Sequence, residues 1–164
     1  MAEDALARLL ARQAIEDVLV AYCRHLDRMD LPAIGALFTA DCTVVYADAP
    51  GFSAEGRDAL ERSLARLWRW RRTAHHLSNV TVAFDDARTA RTQSYVIAWH
   101  ERPDGRTATL YGRYLDRLVQ EADGAWRIAE RRMDMNGADA GFTVPLPQAP
   151  REPPPPDWNP PDLD

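Results

Sequence analysis

The sequence contains no lysine, because all 20 of its basic residues are arginines. No Schiff base can form on a lysine side chain, which excludes the aldolase and pyridoxal mechanisms that require one. A GC-rich genome is the simplest explanation of the bias, since both side chains serve a solvated surface despite their different geometry. The lack of lysine thus excludes one class of covalent catalysis but does not indicate which fold the chain adopts.

Cysteine is also scarce in this chain. Cys23 and Cys42 are its two cysteines, and neither lies in a C-x-x-C motif or in a Cys/His cluster. A zinc site and a disulfide framework are therefore not expected. We predict a protein that uses neither a metal nor a cofactor.

Long apolar runs are absent as well. The N-terminal segment MAEDALARLLARQ is charged and amphipathic, and it lacks the continuous apolar stretch of a signal peptide. No run approaches the ~18 apolar residues of a membrane span. The net charge of −5 argues against nucleic acid as the main partner, because phosphate binding favours a basic face. These features predict a cytoplasmic protein without a membrane or nucleic-acid partner.

The spacing of apolar residues predicts helices early in the chain and strands later. Leu6, Leu10 and Val18 lie at helical spacing, whereas Val82 and Phe84 alternate with polar residues. The predicted helices are residues 4–29, a short helix after the Asp30 cap that buries Phe38, and residues 56–70. The predicted strands are residues 41–48, 75–84, 88–100, 107–120 and 126–135, with a loop at residues 50–53. This order indicates an α+β fold with its helices on one face of a curved sheet.

The end of the chain differs in composition from the rest. Nine of the 12 prolines lie in residues 144–164. Such a segment favours polyproline II and forms neither helices nor sheet ladders. We therefore predict a folded domain over residues 1–143 and an extended tail over residues 144–164. The tail could pack on the surface, bind a proline-recognising partner, cross to a second subunit or cover a pocket, with Trp158 as an anchor.

Three ionisable side chains are candidates for acid–base chemistry. Asp27 ends the first helix on a partly apolar stripe, so its carboxylate needs a partner or lies at a solvent-exposed edge. His75 and His76 open a strand and must point to opposite faces, so at most one is expected to face the concave side. His100 ends another strand and is the third candidate. A structural role remains the alternative for each of them.

Two tyrosines are predicted to point inward. Tyr22 lies on the first helix and Tyr46 at the end of the first strand. Each could be an ordinary core residue whose hydroxyl finds a nearby partner. In a closed pocket, a phenol can also polarise a carbonyl or protonate a leaving hydroxyl.

A series of short motifs runs through residues 14–135. They are Ala14-Ile15-Glu16-Asp17, Leu26-Asp27-Arg28-Met29-Asp30, Ala36-Leu37-Phe38-Thr39-Ala40-Asp41, Glu55-Gly56-Arg57-Asp58-Ala59-Leu60, His75-x-x-x-Asn79, Gly112-Arg113-Tyr114 and Asp123-Gly124-Ala125-Trp126-Arg127-Ile128-Ala129. Their order and spacing resemble the SnoaL-like branch of the nuclear transport factor 2-like superfamily. The resemblance implies a cone-shaped α+β fold, in which N-terminal helices pack on the concave side of a curved mixed or antiparallel sheet.

The resemblance also implies an active site. The pattern is most similar to scytalone dehydratase, bile acid 7α-dehydratase and the lindane dehydrochlorinase, which use a His–Asp dyad. His75, Asp27 and Tyr46 would then be catalytic. The substrate-binding residues would be Tyr22, His100, Trp99, Phe38 and Arg131 or its neighbour Arg132, in a pocket that also includes Val96, Leu110 and Met133. Leu26 and Gly112 depart from the scytalone dehydratase pattern, which puts transfer of a particular substrate in doubt.

These residues predict a cofactor-independent lyase or isomerase, resembling a dehydratase or cyclase. An imidazole with an ordinary pKa near ~6.5 can act as a base at neutral pH, and a carboxylate partner stabilises the imidazolium that forms. The expected substrate is a small hydrophobic molecule, such as a polyketide or a steroid. A non-catalytic binding or interaction module and the small subunit of a ring-hydroxylating dioxygenase are the alternatives. A homo-oligomer, either a dimer or a trimer, is expected from the resemblance.

Overall fold

The computed structural model describes residues 2–144, 146–150, 153 and 156. Trp158, the predicted anchor of the tail, lies outside the described residues, as does most of the proline-rich segment after residue 150. Within the described part of the chain, no helix has the length and apolar composition needed to cross a membrane.

Three α-helices form one layer of the fold: α1 (Ala2–Arg28), α2 (Leu31–Ala36) and α3 (Arg57–Leu64), the last continued by a 3₁₀ turn over Ala65–Arg69. Met29 separates α1 from α2 with a left-handed φ of 54°. The Asp30 side chain then accepts a hydrogen bond from the Ala33 N–H at 3.2 Å, which caps α2. The chain thus reverses directly after Asp27, which fixes the position of that carboxylate.

Six strands form one sheet: β1 (Phe38–Val45), β2 (Ser53–Glu55), β3 (Arg72–Phe84), β4 (Thr89–Glu101), β5 (Thr107–Gln120) and β6 (Trp126–Ala138). Their spatial order is β2-β1-β6-β5-β4-β3. Strands β1 and β6 are parallel, and the other neighbouring pairs are antiparallel. The predicted α+β class with a curved mixed sheet is therefore confirmed.

Helix α1 covers the concave face of this sheet. Its buried residues Ile15, Leu19 and Tyr22 share one core with the concave-facing residues Val96 and Leu118. Burial alternates along β4 and β5, as expected for strands with one covered face. The helix crosses the edge strand β3, and this packing brings the end of α1 close to the start of β3.

Most predicted bounds shift by a few residues, and β3 starts at Arg72, so His75 is its fourth residue and not its first. Three further differences concern the type of structure. Phe38 starts β1, where it pairs with Ile128 of β6, although the sequence had placed it on the buried side of the second helix. The predicted loop near residue 53 contains the short strand β2, which is held by pairing with β1. Helix α3 ends at Leu64, six residues before the predicted end, and continues as a 3₁₀ turn. In the first two cases, pairing with another strand decides the structure.

The chain after β6 runs back along that strand. The Met135 N–H donates to the Pro147 carbonyl at 2.7 Å, and the Ala149 N–H donates to the Met135 carbonyl at 2.8 Å. Leu146, directly before Pro147, is buried. The first residues of the predicted tail thus lie against the domain.

Candidate active site

The Asp27 carboxylate lies in the last turn of α1, where the helix dipole disfavours a negative charge. It is held there by donors from β3. The Thr73 hydroxyl donates to Oδ1 at 2.9 Å, and the backbone N–H of His75 donates to Oδ2 at 3.0 Å. Thr73 and His75 share one face of the strand because they are two residues apart. One strand therefore supplies both contacts in fixed positions.

The His75 ring completes this arrangement. Its Nδ1 lies 2.6 Å from Asp27 Oδ1, and its side chain is only 4% exposed. An ionised carboxylate can only accept, so Nδ1 carries the proton and Nε2 is left as an acceptor. His76, the next residue, is exposed, as alternation requires. This is the orientation that a general base requires.

The charge on Asp27 is stabilised by the same contacts. Burial alone would raise its pKa, but hydrogen bonds from the His75 side chain and backbone, with Thr73, hold the pKa of Asp27 below its ordinary value. Asp27 therefore stays ionised at neutral pH and can stabilise an imidazolium.

His75 lines a small cavity of about 60 Å³ between α1 and the sheet, which we call the inner cavity. Its polar lining includes Tyr22, Tyr46 and His100 in addition to His75. The other lining residues are Leu26, Phe52, Leu64, Arg66, Leu67, Arg69, Trp70, Ala98, Leu110, Tyr114, Met133, Phe142, Val144 and Leu146. A mostly apolar wall with a few polar groups is typical of sites for small organic molecules.

His100 lies beside His75 in the cavity wall. The ring centroids are 5.6 Å apart and the rings are nearly perpendicular. Trp70 and Phe142 flank His100, with centroid distances of 4.9 Å and 6.1 Å. Burial, together with the neighbouring His75, lowers the pKa of His100 to about 4. His100 is therefore neutral at pH 7 and contributes shape and polarity without a charge.

The two inward tyrosines form a pair. The hydroxyls of Tyr22 and Tyr46 are 2.6 Å apart in the buried wall of the cavity. Burial raises the pKa of both phenols, so both are protonated at neutral pH. One hydroxyl donates to the other, which leaves a single O–H of the pair for a third group.

Arg131 lies beneath this pair. Its guanidinium carbon is 4.1 Å from the ring centroid of Tyr22 and 4.2 Å from that of Tyr114. It forms two hydrogen bonds with the buried carboxylate of Asp116, at 2.7 Å and 2.8 Å. Burial opposes its charge, but Asp116 outweighs burial and raises the pKa of Arg131. Its positive charge therefore lies close to the phenols, although Arg131 does not line the cavity.

Of the other residues named from the sequence, Leu110 and Met133 line the cavity, whereas Val96, Trp99, Phe38 and Arg132 do not. Trp99 points to the opposite face of the sheet from its neighbour His100, as strand alternation requires. Phe38 packs edge-on against Tyr22, at a centroid distance of 5.9 Å, and does not line the cavity. Arg132 is exposed and pairs with Asp134. Arg131 is thus the arginine of the two that faces inward.

Sequence reasoning did not identify Thr73 or the aromatic residues Trp70 and Phe142. The position of Thr73, two residues before His75 on the same strand, was a usable signal for a shared face. In the described part of the chain, no cluster of three or more His, Cys, Asp or Glu side chains could hold a metal ion.

Comparison with known proteins relates the chain to a domain family and to several solved structures. The SnoaL-like domain profile matches residues 7–132. A candidate scytalone dehydratase from Novosphingobium aromaticivorans DSM 12444 is 32% identical, with a TM-score of 0.83 over 91% of this chain and 99% of that protein. A search of curated proteins finds no significant match.

Two further structures are similar. A candidate aromatic ring hydroxylase from Novosphingobium aromaticivorans is 28% identical, with a TM-score of 0.68 over 76% of this chain and 87% of that protein. The hexachlorocyclohexane dehydrochlorinase LinA-type3 from Novosphingobium barchaimii LL02 has a TM-score of 0.72, over 87% of this chain and 99% of its own. At 20% identity, the dehydrochlorinase shares the fold, and that likeness alone says nothing of activity.

Proposed function

This chain belongs to the SnoaL-like domain family, and on that premise we propose that it is a cofactor-independent lyase or isomerase with His75 as its general base. The observation that carries the proposal is the 2.6 Å contact between His75 Nδ1 and Asp27, with His75 in the wall of an internal cavity. Its similarity to a candidate scytalone dehydratase supports elimination of water as the reaction.

The first step of the proposed reaction is removal of a proton from carbon. His75 Nε2 takes a proton from the carbon next to a carbonyl, and the electron pair of the C–H bond moves into the carbonyl to give an enolate. Asp27 stabilises the imidazolium that forms, because the two groups become an ion pair. Such a positioned base typically accelerates a reaction by ~10²–10⁴.

The phenol pair would stabilise the enolate. The uncommitted O–H of Tyr22 or Tyr46 donates to the developing oxyanion, and the positive charge of Arg131 behind the rings favours negative charge there. In a dehydration, the enolate re-forms the carbonyl and expels a β-hydroxyl group, which leaves as water with the imidazolium proton. In an isomerisation, the imidazolium returns the proton to a different carbon. Both routes regenerate neutral His75.

The test compares two adjacent histidines. Wild type, His75→Ala and His76→Ala would be incubated in deuterium oxide with a panel of aromatic β-hydroxyketones, and NMR would follow deuterium uptake and alkene formation. His76 is the matched control, because it lies on the same strand but is exposed on the opposite face. We expect His75→Ala to lose at least ~10² in rate and His76→Ala to keep it. Equal rates in the two variants would refute the proposal.

The likeness to a candidate aromatic ring hydroxylase supports one alternative. In that case the chain would be a small subunit of a ring-hydroxylating dioxygenase, and it would co-purify with a larger iron–sulfur partner from its native host. The small volume of the inner cavity is also compatible with a non-catalytic module. In both alternatives, Asp27 and His75 would be a structural pair, and His75→Ala would destabilise the fold without removing an activity.

A further inference from the structure

The inner cavity adjoins a second space. This space, which we call the vestibule, has a volume of about 370 Å³. Arg69, Trp70, Phe142 and Val144 line both spaces, so they form the boundary between them. The remaining vestibule residues are Arg102, Pro103, Asp104, Gly141 and Thr143. A cavity of roughly 150 Å³ is known to accept benzene, so a substrate that enters the inner cavity of about 60 Å³ has to extend past Trp70 into the vestibule.

Two arginines frame this boundary. The guanidinium carbons of Arg69 and Arg102 lie 5.3 Å and 5.2 Å from the ring centroid of Trp70. A third, Arg66, lies further in, with its guanidinium carbon 4.4 Å from the Phe52 ring. Arg66 lines the inner cavity, so a line of cationic groups leads from the vestibule towards His75.

Carboxylates do not neutralise these arginines within the described residues. Arg66 donates hydrogen bonds to the Gly51 carbonyl and to the carbonyl and hydroxyl oxygens of Ser63, which are all neutral. Among the residues that the structure describes, Asp104 is the one acid that lines the vestibule; it pairs with Arg106 at 2.7 Å, and Arg102 influences it only at longer range. The nearby Glu101 pairs with two other arginines of the strand edge.

The positive charge is local and is not a result of overall composition. The whole chain carries a net charge of −5, with 25 acidic against 20 basic residues. The effect reaches the inner cavity: after burial and His75, the charge of Arg69 is among the factors that lower the pKa of His100. A cleft lined by one sign of charge between low-dielectric walls concentrates ions of the opposite sign.

We propose that the substrate is an amphipathic carboxylate, whose reacting end enters the inner cavity beside His75 while its carboxylate lies in the vestibule with Arg69 and Arg102. This inference rests on the proposed function for the identity of the reacting end. Arginine suits the anionic end, because its planar donors match a carboxylate. Trp70 suits the junction, because its ring offers an apolar surface and both guanidinium groups lie close to it.

The test measures binding of matched acid and amide pairs to the full chain. Benzoate, cinnamate and 2-naphthoate would each be compared with the neutral amide of the same ring by isothermal titration calorimetry. We expect at least one acid to bind at least about tenfold more tightly than its amide in wild type. Raising sodium chloride from about 20 mM to about 300 mM should weaken the acid and leave the amide unchanged.

Variants then locate the effect. The double variant Arg69→Gln/Arg102→Gln should lose the preference for the acid and keep the affinity for the amide. Arg113→Gln is the matched control, because Arg113 lies 5.0 Å from the Tyr95 ring and is outside both spaces. It should keep the preference.

The proposal is overturned if no acid binds more tightly than its amide, including the case in which neither member of any pair binds, or if the double variant keeps the preference. Because the readout is binding, it is separate from the test of the base. Equal binding of acid and amide, combined with a loss of turnover in His75→Ala, would support the proposed function and refute the anion site. A preference for the acid that depends on Arg69 and Arg102, without turnover, would support the anion site and count against the proposed function.

Discussion

Asp27 receives two hydrogen bonds from a single residue, His75: one from ring Nδ1 at 2.6 Å and one from the backbone N–H at 3.0 Å. The backbone bond fixes the carboxylate relative to the strand, and the ring bond then fixes the imidazole relative to the carboxylate. The orientation of His75 is therefore determined before a substrate binds. An exposed surface ion pair, in contrast, is free to change its geometry.

Replacement of Asp27 by Asn should reduce kcat by about 10²–10⁴. The amide is nearly isosteric, but it removes the charge that stabilises the imidazolium, and its NH₂ group can hold the other tautomer of His75. Steady-state kinetics on a substrate found with the deuterium screen would measure the change. A kcat within about threefold of wild type would show that the carboxylate only supports the fold.

The control for this variant is Thr73→Val. It removes one hydrogen bond to Asp27 but keeps the carboxylate charge and both bonds from His75. We expect a loss of less than about tenfold, because the hydroxyl contacts only the carboxylate, whose charge and two hydrogen bonds from His75 remain. A Thr73→Val loss as large as that of Asp27→Asn would assign the effect to geometry and not to charge.

Replacement of either tyrosine of the phenol pair by Phe should lower kcat by about 10², because one oxyanion donor is lost. The hydroxyls of Tyr22 and Tyr46 bond to each other and leave one O–H for the oxyanion, so the losses in kcat from the two changes should not be additive. The double variant Tyr22→Phe/Tyr46→Phe should therefore be little worse than the more affected single variant. Kinetics of the three variants form a double-mutant cycle, and fully multiplicative losses would contradict a shared role.

Removal of the Asp116 carboxylate should strongly destabilise the protein. Asp116→Ala leaves the Arg131 guanidinium buried without its partner, which typically lowers the free energy of unfolding by about 3–5 kcal/mol. Urea denaturation would measure the loss. The double variant Asp116→Leu/Arg131→Met removes both charges and should recover most of it. A loss below about 1 kcal/mol in Asp116→Ala would mean that water or another group compensates the arginine.

Much of the fold could be predicted from local patterns. Strand β5 was predicted at its observed bounds, residues 107–120, because a turn with Pro103 and Gly105 precedes it and its alternation is regular. The start of β1 at Phe38 depends on pairing with the distant strand β6, and the short strand β2 depends on pairing with β1, so alternation within either segment predicts neither. A residue such as Phe38 suits a buried helix face and a buried strand equally well.

The candidate site also combines features that local patterns predict with features that depend on tertiary packing. Alternation alone predicts that His75 and His76 diverge, and the same rule excludes a shared face for Trp99 and His100, which were both assigned to the pocket. The contact between Asp27 and His75 joins residues 48 positions apart and depends on how α1 crosses β3. Only the family resemblance suggested it. The choice between Arg131 and Arg132 depends on a register shift between β5 and β6 near Arg117, which no local pattern shows.

His100 should make the folded protein sensitive to acid. Its pKa is 6.5 in the unfolded chain but about 4 in the folded protein, so between these values the unfolded state binds the extra proton. The free energy of unfolding should therefore fall as the pH decreases from about 6.5 to about 4, by up to about 3 kcal/mol from this residue. Asp27, with its lowered pKa, adds to the loss only below its ordinary value of 3.8.

Urea denaturation at a series of pH values would measure the slope of unfolding free energy against pH in wild type, in His100→Gln and in His76→Gln. His100→Gln should flatten this slope, whereas His76→Gln should leave it unchanged, because His76 is exposed on the opposite face of the sheet. Equal slopes in wild type and His100→Gln would show that His100 accepts a proton in the folded cavity, and its neutral role in the wall would have to be abandoned.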